Sequence, residues 1–247
     1  MRKYLSTVFC DMGDKAEEWT EWAKEHVADM IKLPGFIGCQ AFRARPDFSF
    51  AHAEVLPTMP SYNLMTFYEH DEQGLEFLTT NSRPTGAGPA AETRSFPSPL
   101  GPRVGETFLW EAISPEYQAV SERPKTARYF VTALTNTGDK SEEWAQWCKD
   151  HVATMIKMPT HLGSRAYRSR PDFSYGHPET FATRPDYDLL TLYEVNEEGV
   201  KLMTTARREV GTPPQGGSRP FPGPLGPHVG DTYLWEAVSP HYRAIRD

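Results

Sequence analysis

The sequence predicts an α+β protein made of two tandem β-α-β-β-α-β modules, on three observations. The chain repeats itself: adding 125 to each position from Tyr4 to Tyr117 aligns it without a gap on Tyr129 to Tyr242, with about half of the pairs identical. Hydrophobic periodicity then switches between strand-like and helix-like in the same order within each copy. Finally, 247 residues at 38% apolar content suffice for one large core or two ordinary ones. The modules are assigned to residues 1–117 and 128–247. Residues 118–127, QAVSERPKTA, carry charge and proline and form the expected linker.

Each element has its own signal. YLSTVF is short, β-branched and aromatic, and reads as a first strand. Asp14, followed three residues later by Glu17, has the form of a capping box, so a helix is expected from there to Lys32, before Pro34. FIGCQAFRAR and YNLMTFYE read as strands two and three. DEQGLEFLTTNSR reads as a second helix, weakened by Gly74, and a Pro/Gly-rich stretch leads to a fourth strand, ETFLWEAIS. This order is the ferredoxin-like arrangement, in which both helices cover one face of an antiparallel sheet.

Composition narrows the partners. With 33 acidic against 26 basic residues the net charge is −7, which opposes binding to nucleic acid or anionic membranes. The N-terminus turns polar after ten residues and no run is long and apolar enough for a membrane span, so a cytoplasmic protein is expected. Cys10, Cys39 and Cys148 form no metal-like cluster and read as small buried apolar residues in a reducing compartment. No phosphate loop, dinucleotide glycine fingerprint or nucleophile elbow occurs, and no cofactor is expected. The FPSPLGP and FPGPLGP segments, at the same offset before a strand, read as rigid loop packing rather than ligands for a recognition domain.

The first helix, W-x-x-W-x-x-x-H with a methionine four residues on, the LPGF turn and the element order together resemble the dimeric α+β barrel superfamily. The nearest branches are EthD-type proteins and the antibiotic-biosynthesis monooxygenase group. The resemblance implies that two modules place their sheets together as a barrel, here within one chain, and that the substrate cavity lies between helix and sheet. Members carry out cofactor-free oxygenation, cyclisation, isomerisation, dehydration and, in some branches, haem chemistry, so the fold alone selects no reaction.

On the first helix, Trp19, Trp22, Ala23, His26, Met30 and Leu33 share one stripe, opposite Glu17, Glu21, Lys24 and Glu25. The second copy repeats it with Trp144, Trp147, Cys148, His151, Met155 and Met158. An imidazole in the middle of an apolar stripe is either a satisfied core residue or an acid/base group, and histidine ordinarily titrates near neutrality. Tyr68 and Tyr193 end strand three and could donate to a developing oxyanion; their neighbours Glu69 and Glu194 must face the opposite side. Arg43, Arg168, Glu111 and Glu236 are charges within otherwise apolar strands; the carboxylates could orient a histidine, pair with Arg43 across the sheet, or face solvent or the inter-module barrel, and the arginines could hold an anionic substrate group.

The loop RPDFSFAHAE, repeated as RPDFSYGHPE, supplies His52 with Glu54 and His177 with Glu179. A third ligand is missing, so no metal is expected, and the loop reads as a lid or as a shared turn with Phe48 anchored in the core. The copies differ at His70/Val195, Arg103/His228, Glu116/His241 and Gly35-Phe36/Thr160-His161.

The expected function is therefore cofactor-independent acid/base catalysis of lyase, dehydratase, isomerase or cyclase type on a hydrophobic, aromatic or polyketide-like small molecule. His26, His151, Tyr68, Tyr193, Glu111 and Glu236 are the catalytic candidates; Trp19, Trp22, Met30, Arg43, Trp144, Trp147, Met155 and Arg168 are the substrate-binding candidates. An oxygen-using enzyme, either a cofactor-free monooxygenase or a haem protein, and a non-catalytic binding pseudo-dimer are the alternatives. Two such chains could associate further as a homodimer.

Overall fold

A computed structural model describes residues 3–50, 62–80, 105–119, 129–172, 181–183, 187–205 and 230–244. The first module contains β1 (Tyr4–Cys10), α1 (Ala16–Met30), β2 (Phe36–Ala44), β3 (Leu64–His70), α2 (Glu72–Thr80), β4 (Gly105–Ala112) and a short β5 (Tyr117–Gln118). The second contains β6 (Tyr129–Thr135), α3 (Ser141–Met155), β7 (His161–Ser169), β8 (Phe181–Thr183), β9 (Leu189–Val195), α4 (Glu197–Thr205), β10 (Gly230–Ala237) and β11 (Tyr242–Arg243).

Each module forms an antiparallel sheet, β2-β3-β1-β4 in the first and β7-β9-β6-β10 in the second. The sheets join at both edges. Trp235, Glu236 and Ala237 of β10 pair with Ala44, Arg43 and Phe42 of β2; Trp110, Glu111 and Ala112 of β4 pair with Ser169, Arg168 and Tyr167 of β7. Eight strands thereby close into an antiparallel barrel with no free edge among them.

Closure buries the inner faces and the helices cover the outer ones; β1 is buried along its whole length, and this is why YLSTVF reads as a continuous apolar run rather than an alternating one. Leu5, Phe9, Phe42, Phe67, Phe108 and Trp110 point into the barrel with Phe130, Leu134, Tyr167, Tyr233 and Trp235 of the other module. The buried indoles of Trp110 and Trp235 donate to Thr7 Oγ1 and Thr132 Oγ1, each at 2.9 Å, so neither N–H is stranded. The outer sheet faces pack under α1 and α3 as two further cores. Cys10, Cys39 and Cys148 are free and buried, as expected.

Local structure departs from the sequence reading in three places. Asp14 lies inside a 3-10 turn, Gly13–Lys15, which Gly13 permits at φ 52°, so α1 starts at Ala16 with no side-chain cap. Its first turn relies instead on Glu17 and Glu18 against the helix dipole. Gly74 is a requirement of α2 rather than a weakness: Asp71 caps the helix through the Gln73 and Gly74 amides, and a Cβ at Gly74 would stand 2.6 Å from His70 Cβ and 2.9 Å from Gly35 O. Gln118, expected in the linker, continues β5, which pairs with β7 of the other module; β11 returns the exchange by pairing with β2.

Phe48 is buried, as anticipated for an anchor of the RPDFS turn, but in the core under α3 of the other module. Truncation of Phe48 to alanine is expected to destabilise the protein by about 3–5 kcal/mol in urea unfolding while retaining a single transition. Loss of a local signal in the first module alone would contradict this cross-module anchoring.

Candidate functional site

α1 lays His26 on the outer face of the first sheet, 3% exposed. Trp22, one turn earlier, stacks on the imidazole at 4.3 Å and 12° between planes. From β3, Tyr68 meets it edge-on at 6.0 Å, while Glu69, next in the strand, faces the barrel interior. The second module repeats the arrangement: Trp147 stacks on His151 at 4.3 Å, and Tyr193 approaches edge-on at 5.9 Å. Trp19 and Trp144 are buried behind them as apolar walls. The structure thus brings together the histidine, tyrosine and tryptophan candidates of each module.

Beside His26 is a cavity of about 20 Å³, lined by Ser6, Val8, Met30, Tyr68, Leu78 and Thr107. His26 Nδ1 and Thr107 Oγ1 are buried and meet no hydrogen-bond partner among the described residues. That volume, with several polar groups around it, suits one water molecule. Leu78 of α2 forms part of its wall. Met155, the counterpart of Met30, is half-buried in the core under α3.

Tyr68 Oη donates to Thr66 Oγ1 at 2.9 Å. Burial pushes the Tyr193 phenol well above its ordinary value, so it is a neutral hydroxyl rather than a phenolate.

The charged candidates lie elsewhere. Arg43 and Arg168 leave their strands for the surface and pair with Glu17 and Glu142 at the start of α1 and α3, the latter pair at 2.7 Å. A long guanidinium near a sheet edge reaches water and a helix-terminal carboxylate at lower cost than an apolar cavity. Glu111 and Glu236 lie on the seams between modules, half-exposed, 3.6 Å from Arg170 and 3.7 Å from Arg45. They fasten one sheet to the other and do not line the His26 cavity. His52 and His177 lie outside the described residues. Among the described residues no group of three or more His, Cys, Asp or Glu side chains could hold a metal ion.

Ser6 and Thr107 escaped the sequence reading, and His70 entered it only as a difference between the copies. Ser6 Oγ lies 2.8 Å from His70 Nε2, and His70 Nδ1 lies 3.2 Å from Asp71 O, so this fully buried ring is satisfied at both nitrogens. The available signal was a serine on the helix-facing side of an apolar strand, replaced by Val131 in the second copy, just as Val195 replaces His70. The second module instead places His161, from β7, edge-on to Tyr193 at 5.9 Å.

Burial lowers His26 from its ordinary 6.5 to about 3, with Asp29 pulling weakly the other way. The unfolded chain takes up this proton first, so stability falls as pH falls from 6.5 towards 3, by about 1.4 kcal/mol per pH unit from His26 alone. Burial gives His70 and His161 shifts of the same sign. Substitution of His26 by glutamine is expected to flatten the acid limb of a stability-versus-pH curve by that slope, read from urea unfolding; an unchanged limb would show that His26 is protonated in the native state.

No family model matches the sequence, and a comparison with curated proteins found no match. Solved structures do match. One, described as an anthrone oxidase-like protein, superposes with a TM-score of 0.56 at 10% identity, covering 98% of this chain and 93% of the other. A candidate monooxygenase from Fusobacterium nucleatum subsp. nucleatum superposes with a TM-score of 0.51 at 10% identity, covering 99% and 98%. At such identities the likeness concerns the fold. It agrees with the closed eight-stranded sheet and the four α-helices among the described residues: the chain has the dimeric α+β barrel fold, with both halves on a single chain.

Proposed function

We propose that this protein is a cofactor-independent enzyme that removes a proton from a hydrophobic, aromatic small molecule, with His26 and His151 as the bases. The observation that carries this reading is a buried neutral imidazole, stacked on an indole and edge-on to a tyrosine, that lines a cavity and whose Nδ1 meets no hydrogen-bond partner among the described residues.

The low proton affinity of His26 defines the chemistry. An imidazole held near pH 3 when the cavity is empty is a weak base, so it suits a substrate that is already acidic, such as a phenol, an enol or a doubly activated C–H. In a low-dielectric cavity the resulting imidazolium and organic anion stabilise each other, which recovers much of the basicity removed by burial. Tyr68 stabilises the anion when its hydroxyl turns from Thr66, and the indoles supply apolar walls.

The anion then eliminates or rearranges, as in a lyase, isomerase or cyclase, or it gives an electron to dioxygen. That the two superposed structures are a candidate monooxygenase and an anthrone oxidase-like protein favours the oxygen-using outcome. A haem does not fit beside His26: Trp22 covers one face of the ring, and the adjoining free space is about 20 Å³.

The test is turnover of a panel of anthrones and acidic phenols, with and without oxygen, by wild type and by H26A and H151A separately and together. Each active base is expected to account for about 10²–10⁴ in kcat/KM. Oxygen uptake matched to product marks an oxygenase, and anaerobic conversion marks a lyase or isomerase. Full turnover by a folded double variant excludes the histidines as bases, and tight binding without conversion excludes an enzyme.

A further inference from the structure

The barrel interior turns polar at the end where the β5 and β11 arms cross between modules. A pocket of about 50 Å³ opens there among Phe67, Phe130, Leu192, Glu69, Glu194 and Arg165. It is separate from the histidine cavities, because strand alternation puts Tyr68 on the helix side and Glu69 on this one.

The two copies differ in charge at this pocket. Arg165 stands where the first copy has Gln40, His241 where it has Glu116, and Arg243 where it has Gln118; all three basic residues of the second copy line the one pocket. Gly38 leaves them room, since a Cβ there would stand 2.7 Å from Glu69 Oε2 and 3.0 Å from His241 Nε2.

Arg165 is 9% exposed and stacks over Tyr167, its guanidinium carbon 5.3 Å from the ring centre. Its nearest carboxylates, Glu69 and Glu116, are at 3.9 and 4.0 Å, beyond hydrogen-bond reach, and its Nε meets no acceptor among the described residues. The surface pair of Arg168 with Glu142, by contrast, is in contact at 2.7 Å. A buried guanidinium that stops short of both carboxylates keeps its planar fork of donors available. Burial, and then the Glu116 charge, push the Glu69 carboxyl up against the pull of Arg243, Arg165 and Lys3.

We propose that this barrel-end pocket binds a very small carboxylic acid of acetate size, its carboxylate held by the Arg165 guanidinium and its methyl group lying against Phe67 and Leu192. The volume sets the limit: benzene occupies an apolar cavity of about 150 Å³, roughly three times larger, and butyrate has as many heavy atoms as benzene, so the pocket takes nothing longer than acetate.

The probe is sodium acetate, titrated into the full chain while the arginine Nε–H signals are followed by ¹⁵N–¹H NMR. One Nε–H signal, missing from R165K and R165Q, is expected to shift saturably with a Kd of about millimolar, and both variants are expected to bind at least about tenfold more weakly. R165K preserves the charge facing Glu69 and Glu116, so it decides the matter if R165Q does not fold. No saturable shift up to about fifty times that concentration, equal binding by wild type and a folded variant, or equal occupancy by ethylamine would each overturn the assignment.

Discussion

The organising constraint is the free edge of a four-stranded sheet. Each module alone presents two unpaired edge strands, β2 and β4 in the first and β7 and β10 in the second, with an aromatic inner face exposed between them. Pairing β4 with β7 and β10 with β2 satisfies the backbone of both edges and hides both inner faces at once. The seam charges follow from this geometry: Arg45 and Arg170 each reach across a junction to Glu236 and Glu111. Phe48 extends the same logic to a loop, filling a gap under the opposite helix.

With the inner faces committed to each other, chemistry is confined to the outer faces and to the barrel ends. β3 serves both: Tyr68 turns outward to His26, and Glu69 turns inward to the polar barrel end. One peptide bond therefore separates residues in two environments with no shared solvent, and a substitution at either position is expected to be read by one site before the other.

The sequence disclosed what is periodic or repeated. The duplication, the strand and helix order and the Trp-Trp-His stripe of α1 were legible because each is a local pattern, and the structure keeps all three. What escaped depends on pairing between distant segments. Glu111 and Glu236 looked like site carboxylates because the β4–β7 and β10–β2 registers, which put an arginine within reach of each, cannot be read from either strand alone. Ser6 and His70 are 64 residues apart and meet only through the β1–β3 register. β5 and β11 are two residues long, too short to carry any period. Gly74 looked like a defect because the Gly35 backbone that demands it comes from a different turn.

The exchanged arms set an order on the folding of the chain during synthesis. β2 receives one of its two barrel neighbours from β10 and its arm from β11, both encoded at the far end of the sequence. Until those residues leave the ribosome, the first module carries an open strand edge beside a bare aromatic face, the kind of surface that recruits other nascent chains. The first half is thus made early and finished last, and its protection in the interval rests on how quickly the second half arrives.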